Sequence, residues 1–247
     1  MATAITEDWS WSASLTAPNA PIQDRLLTTY YEHKTNWPNW TVTSVTHGPE
    51  ASGLGEDPCV DPVTGLLRNR LGITDAAQLA AAEAAYTRQR IYELGQRPIA
   101  GRFDLAHLQA VHRYISQDLV DWAGQLRTVN IAKTGTFCLV EHLESYAAQV
   151  FGQLAEANYL RGLGRHDSVT GLAGFYGDLN ALHPFREFNG RSQRAFVSHL
   201  ADRAGWHVAW ERMSPQRNIS ASEASLNGDE APLRALLDEL VEPRSLA

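Results

Sequence analysis

Cysteine is nearly missing from this 247-residue chain: Cys59 and Cys138 are the only two, far apart and outside any C-x-x-C pair. That excludes a disulfide framework and leaves no zinc-ligand pattern, so both are read as small apolar residues. Long apolar runs are missing as well. None approaches the roughly 20 residues that cross a bilayer. The opening "MATAITEDWSWSAS" has neither the basic leader nor the apolar stretch of a secretory signal. The expectation is a cytoplasmic protein with no membrane partner. Basic residues are in deficit, 21 Lys and Arg against 28 Asp and Glu, and the net charge of −7 disfavours direct nucleic-acid binding. The usual phosphate loops, G-x-x-x-x-G-K-[ST] and G-x-G-x-x-G, do not occur, and no internal repeat is present.

With 44% hydrophobic residues the chain has the means for one large core. Residues 1–55 carry turn formers and Trp9, Trp11, Trp37 and Trp40, and read as an extension packed on the body by its tryptophans. Residues 56–247 form the body. Here "TDAAQLAAAEAAYTRQRIYELG" predicts a helix capped by Thr74 or Asp75 and stopped at Gly95. Helical spacing of Leu105, Leu108, Val111, His112 and Ile115 after Asp104 predicts a second, amphipathic helix. "RTVNIAKTGTFC" changes to a β-branched pattern and reads as a short hairpin. Helical periodicity returns in "VEHLESYAAQVFGQLAEANYLRGLG". It continues in "SVTGLAGFYGDLNALH", whose glycines suggest close packing, and in "GRSQRAFVSHLADRAG", which ends near Gly205. One or two acidic helices close the chain. The predicted fold is mainly α, a helical bundle with a small β-hairpin.

Against the acidic background, "HPFREFNGRSQR" at 183–194 concentrates Arg186, Arg191 and Arg194 around one acid. Pro184 biases His183 out of the α region and halts the preceding helix. Asn189 is a favoured N-cap, which would leave the amides of Gly190, Arg191 and Ser192 pointing outward as an anion site. Arg191 and Arg194, three residues apart, share a helical face and can grip separate phosphate oxygens. Glu187 is a hard oxygen ligand of the kind Mg²⁺ takes beside phosphates. A histidine's ordinary pKa of about 6.5 suits His183 to act as a general base at neutral pH. Together these parts describe phosphoryl or nucleotidyl transfer to a hydroxyl. His107, His112, His199 and His207 are assigned to packing or surface.

The stretch from His183 to Arg194 resembles the Fic family signature HPFx(D/E)GNGRxxR, and "DWAGQLRTVNIAK" at 121–133 is similar to the WAG-x-x-R segment before the family's flap hairpin. "TGLLRNRLGITDAAQLAAAE" looks like the N-terminal region of Fic toxins. The resemblance spans about residues 56–242 and implies the Fic fold, a helical bundle with a β-hairpin flap. It also implies transfer of AMP from ATP to a hydroxyl side chain of a target protein. On that basis His183 deprotonates the hydroxyl, Glu187 binds Mg²⁺, and Phe188, Asn189, Gly190 and Arg191 line the phosphate site, with Arg194 on the γ-phosphate. Lys133, Thr134, Gly135, Thr136 and Phe137 form the flap that pairs with the target segment as an added strand.

Two departures from the family pattern stand out. Phe188 replaces the usual glycine; if that glycine has positive φ, the exchange costs on the order of 1 kcal/mol or more, and the ring is expected to tuck beside Phe185 in a working site. No inhibitory [S/T]-x-x-x-E-[G/N] helix is found, since "THGPEA" at 46–51 has the spacing but an unsuitable Gly-Pro. The chain thus resembles the branch checked by a separate small antitoxin that supplies an inhibitory glutamate, and whose targets are the ATPase subunits of gyrase and topoisomerase IV. The alternatives are transfer of another group (phosphate, UMP or phosphocholine) or a degenerate Fic module that only binds a partner.

Overall fold

Asp75 opens the first helix by accepting a bond from the Gln78 amide at 2.8 Å, which satisfies one of the donors a helix start leaves unpaired. The computed structural model describes residues 57–132 and 137–244. The expected tryptophan-rich extension and the flap residues Lys133, Thr134, Gly135 and Thr136 lie outside the described residues.

Helix α1, Ala76–Gln96, runs one residue past the glycine expected to stop it. Gly95 is exposed and helical. Arg97 leaves the helix at φ −138 and ψ 82 because Pro98 follows it, so proline rather than glycine ends α1. Helix α2, Leu105–Ser116, is capped by Asp104 as expected, its carboxylate accepting from the His107 amide at 2.9 Å. Arg90 of α1 grips Asp118 just beyond α2 with two bonds, 2.7 and 3.0 Å.

Helices α3, Leu143–Glu156, α4, Arg165–Leu182, and α5, Asn189–Ala204, complete the frame of the site. Gly171 and Gly177 of α4 allow the close packing that the sequence suggested, while Gly174 has open space beside it. A Cβ on Gly171 would lie 2.6 Å from Leu160, and one on Gly177 would lie 2.5 Å from the Ser225 hydroxyl. Helix α5 ends at Gly205, whose φ of 93 favours glycine. Both closing helices are present, α6 at Pro215–Leu226 and α7 at Ala231–Leu240.

A two-stranded antiparallel ribbon, β1 (Trp206–Val208) with β2 (Val241–Pro243), ties the end of α5 to the end of α7. The sequence reading did not foresee it, since its strands are only three residues long, lie far apart in the chain and have no turn between them.

The main core lies where α4 and α5 cross the other helices. Leu108, Leu172, Leu179, Phe185, Phe196 and Leu200 are wholly buried there. Phe196 takes edge-on contacts from Phe103 at 5.6 Å and Phe151 at 5.9 Å, the geometry that ring quadrupoles favour. A second, smaller cluster of Leu119, Val120 and Phe188 packs with Leu71, Tyr86, Trp122 and Ala123. The bend between α4 and α5 contributes Phe185 to the main core and Phe188 to the smaller cluster.

Candidate active site

His183 closes α4 in the left-handed region, φ 41 and ψ 59, with its amide bonded to the Leu179 carbonyl at 3.0 Å. Its Nδ1 lies 3.2 Å from the Asn180 carbonyl. A carbonyl can only accept, so Nδ1 carries a proton, and when the ring is neutral the lone pair is on Nε2, the tautomer a base requires. Phe137, the one described residue of the expected flap, stacks on this imidazole with centroids 3.8 Å apart and planes 14° apart.

Arg127 fixes the same end of the bend. It is 4% exposed. Its guanidinium donates to the carbonyls of His183 at 2.9 Å, Val129 at 3.0 Å and Cys138, while its amide donates to the Pro184 carbonyl at 2.9 Å. Burial pulls its pKa down from the usual arginine range, and an arginine remains charged at neutral pH all the same. One side chain therefore ties the histidine turn to the chain on both sides of the expected flap residues. The sequence offered it only as the last letter of WAG-x-x-R.

Asn189 does not cap α5. Phe188 holds the cap position at φ 60 and ψ 12 without a side-chain bond. Asn189 instead turns inward, accepting from the Phe185 amide at 2.9 Å and donating to the Phe185 carbonyl at 2.7 Å. A side chain spent on closing the bend is not available as a cap. The first main-chain bond of α5 runs from Ser192 N–H to Phe188 C=O at 3.1 Å, so the outward amides are those of Asn189, Gly190 and Arg191, one residue earlier than expected.

Phe188 does not join Phe185 directly. Its ring is 2% exposed in the smaller cluster, 6.1 Å from Trp122 and 6.2 Å from His112, while Phe185 stacks on the same His112 at 3.8 Å. The imidazole separates the two rings. Left-handed backbone costs a phenylalanine about 1–2 kcal/mol, and burying its ring contributes about 1.5–3 kcal/mol, so packing offsets the strain.

The cationic side chains gather at the head of α5. The Arg191 guanidinium lies over the Phe188 ring at 5.4 Å, and a terminal nitrogen of Arg194 sits 3.3 Å from where a Cβ on Gly190 would stand. Arg186 does not add to this charge, because Asp57 pairs with it at 2.5 Å. The Glu187 carboxylate accepts the Phe188 amide at 3.2 Å.

Two further residues reach the site without any sequence signal. Glu83 of α1 has its pKa pushed up to about 7 by burial; Arg191 opposes the shift and Glu187 adds to it, which places this carboxyl within electrostatic reach of both. His112, read from sequence as packing or surface, is wholly buried and binds the Glu187 carbonyl through Nε2 at 3.1 Å. Burial drives its pKa down to about 4. The other histidines keep their bland assignments: His107 and His199 are buried, and His207 lies exposed near Asp202.

A helical bundle that sets an imidazole at the end of one helix against the amides and arginines opening the next defines the Fic fold. The solved BepC effector of Bartonella tribocorum, with bound AMPPNP, matches at TM-score 0.72 and 24% identity over 76% of this chain and 97% of that one. The type IV secretion effector BepA matches at TM-score 0.69 and 29% identity over 75% and 68%.

The chain belongs to the Fic/DOC family, whose model matches residues 102–201. It is similar to the protein adenylyltransferase VbhT of Bartonella schoenbuchensis, 43% identical over 73% of this chain, and spans about 38% of that protein's length. The probable protein adenylyltransferase Fic of Salmonella typhimurium is 37% identical over 76% of this chain and 94% of its own, and the Escherichia coli one 36% over the same shares.

Proposed function

We propose that the chain transfers AMP from ATP to a hydroxyl side chain of a target protein. The observation that carries this reading is the His183 tautomer: with Nδ1–H bound to Asn180, the basic Nε2 belongs to the same short bend as the amide-and-arginine head of α5. Relatives named as protein adenylyltransferases, one covered almost end to end, support the same class of enzyme.

In the proposed reaction Nε2 of His183 takes the hydroxyl proton as the oxygen attacks the α-phosphorus. An O–P bond to the target forms, the bond between the α-phosphorus and its bridging oxygen breaks, and pyrophosphate leaves. The amides of Asn189, Gly190 and Arg191, with the guanidinium groups of Arg191 and Arg194, hold the phosphates and their developing charge.

Mg²⁺ fits the donor set. No group of three or more His, Cys, Asp or Glu side chains able to hold a metal occurs among the described residues, whereas a single carboxylate that shares the ion with substrate phosphates is a normal Mg²⁺ arrangement. Glu187, whose carboxylate accepts the Phe188 amide, would hold it, and the ion would supply charge neutralisation of the triphosphate.

The target segment would add as a strand along Lys133 to Phe137, and Phe137 would carry that docking to the histidine it stacks on. The same proposal includes topoisomerase ATPase subunits as targets and a small antitoxin as the source of an inhibitory glutamate.

Incubation with a cell lysate and ATP labelled at the α- or γ-phosphate tests the reading. Label is expected on protein from the α-position only. His183→Ala should lower it by about 10²–10⁴-fold, the usual contribution of a general base. Label from γ alone, or from neither, rejects AMP transfer.

A further inference from the structure

The carbonyl of Glu187 is held by a group that the transfer chemistry does not use. His112 reaches it from α2 through Nε2 at 3.1 Å, and on the other edge of the ring Nδ1 lies 2.8 Å from the Gly124 amide. The amide can only donate and the carbonyl can only accept. Nδ1 is therefore bare and Nε2 protonated, the opposite tautomer to that of His183.

The surroundings leave the imidazole little freedom. Phe185 stacks on it at 3.8 Å with planes 18° apart, and Trp122 lies on it at 6.2 Å. Gly124 sits at φ 80, and a Cβ there would lie 2.9 Å from Arg113 and 3.0 Å from the Gln109 carbonyl. A glycine is thus required where the amide meets the ring. The residues of the WAG segment and α2 together build a rigid donor aimed at the Glu187 main chain.

We propose that His112 is a positioning residue for the metal-nucleotide complex: its Nε2–H fixes the Glu187 peptide and so sets where the neighbouring carboxylate faces the cation. This rests on the assignment of Glu187 to Mg²⁺ made above. Donors that orient a metal-binding residue at one remove govern metal affinity even though they never touch the ion.

The substitutions His112→Asn and His112→Gln separate this role from simple packing. Asparagine keeps an acceptor near the Gly124 amide but is too short to reach Glu187; glutamine reaches. Calorimetric titration of the full chain with ATP, in Mg²⁺ and in EDTA, gives a readout independent of turnover. His112→Asn should weaken Mg²⁺-dependent ATP binding about ten-fold or more, with metal-free binding changed less than about two-fold and His112→Gln restoring most of the loss. On a Glu187→Gln background the His112→Asn change should have no further effect.

An unchanged Mg²⁺ dependence, an equal loss in EDTA, or a loss that persists without the Glu187 carboxylate would overturn the proposal. If His112→Asn does not fold, the imidazole ¹⁵N spectrum of the unmodified chain decides: a neutral ring protonated on Nε2 supports it, and one protonated on Nδ1 ends it. A chain that binds Mg-ATP but transfers no AMP would refute the proposed function and leave His112 to be judged on binding alone.

Discussion

The bend between α4 and α5 rests on two packing centres, and they differ in kind. On one side lies the main core, where Phe185 and Phe196 are wholly buried among aliphatic and aromatic neighbours drawn from almost every helix. On the other side lies the small cluster around Phe188, built from three buried residues and the partly buried rings of Tyr86 and Trp122. The first holds the fold through ordinary burial with Phe196 in regular helix. The second holds a residue whose backbone sits at φ 60. Stability and site geometry are therefore divided between the two, and each can be perturbed separately.

The largest expected effect is in the main core. Phe196→Ala removes a ring that three other phenylalanine rings and the His107 imidazole enclose, and it should cost about 3–5 kcal/mol of unfolding free energy. A denaturant titration showing less than about 1 kcal/mol would mean that the core around Phe196 collapses freely into the space.

Acid should act next. Burial pushes His199 down to about 4, with His107 opposing its charge as well, and one ring nitrogen, Nδ1, is buried without a hydrogen-bond partner. The folded chain thus favours neutral His199, while the unfolded chain protonates near the ordinary 6.5. The unfolded state binds more protons between these values, so stability is full above about pH 6.5 and falls as pH drops toward 4. A shift of this size corresponds to about 3 kcal/mol. Melting temperature followed from pH 7 to 4 should fall, and His199→Gln should make the fall shallower, the remainder coming from His112, which burial also holds at about 4; an unchanged slope in that variant would clear His199 of the effect.

How legible all this was in the sequence follows the same division. Helix starts at Asp75 and Asp104, the stop at Gly205 and the break at Pro184 were readable because each depends on neighbours a few residues away. The signature also put His183, Glu187, Gly190, Arg191 and Arg194 on one bend. What escaped was long-range. Arg127 and His112 act on the bend from 56 and 75 residues away, and Glu83 stands in an alanine run that gives no hint of Arg191. Asn189 was misread for a subtler reason. Its N-cap propensity was real, yet closing the bend onto Phe185 took both ends of its amide, and the cap passed to Phe188.

The smallest effect concerns the strained residue itself, and it isolates backbone from side chain. Phe188→Ala and Phe188→Gly both empty the pocket beside Trp122, so both lose the ring's burial and leave a similar cavity. They differ in the backbone. Alanine retains the Cβ that makes φ 60 unfavourable, whereas glycine adopts that region freely. Glycine ordinarily destabilises by giving the unfolded chain more freedom, by about 0.4–1 kcal/mol relative to alanine. Relief of about 1–2 kcal/mol of left-handed strain outweighs that term. Phe188→Gly should therefore be more stable than Phe188→Ala by up to about 1.5 kcal/mol. The reverse order in urea would show that the bend relaxes out of the left-handed region once the ring is gone, and that ring packing, rather than the fixed ends of the two helices, holds Phe188 in its conformation.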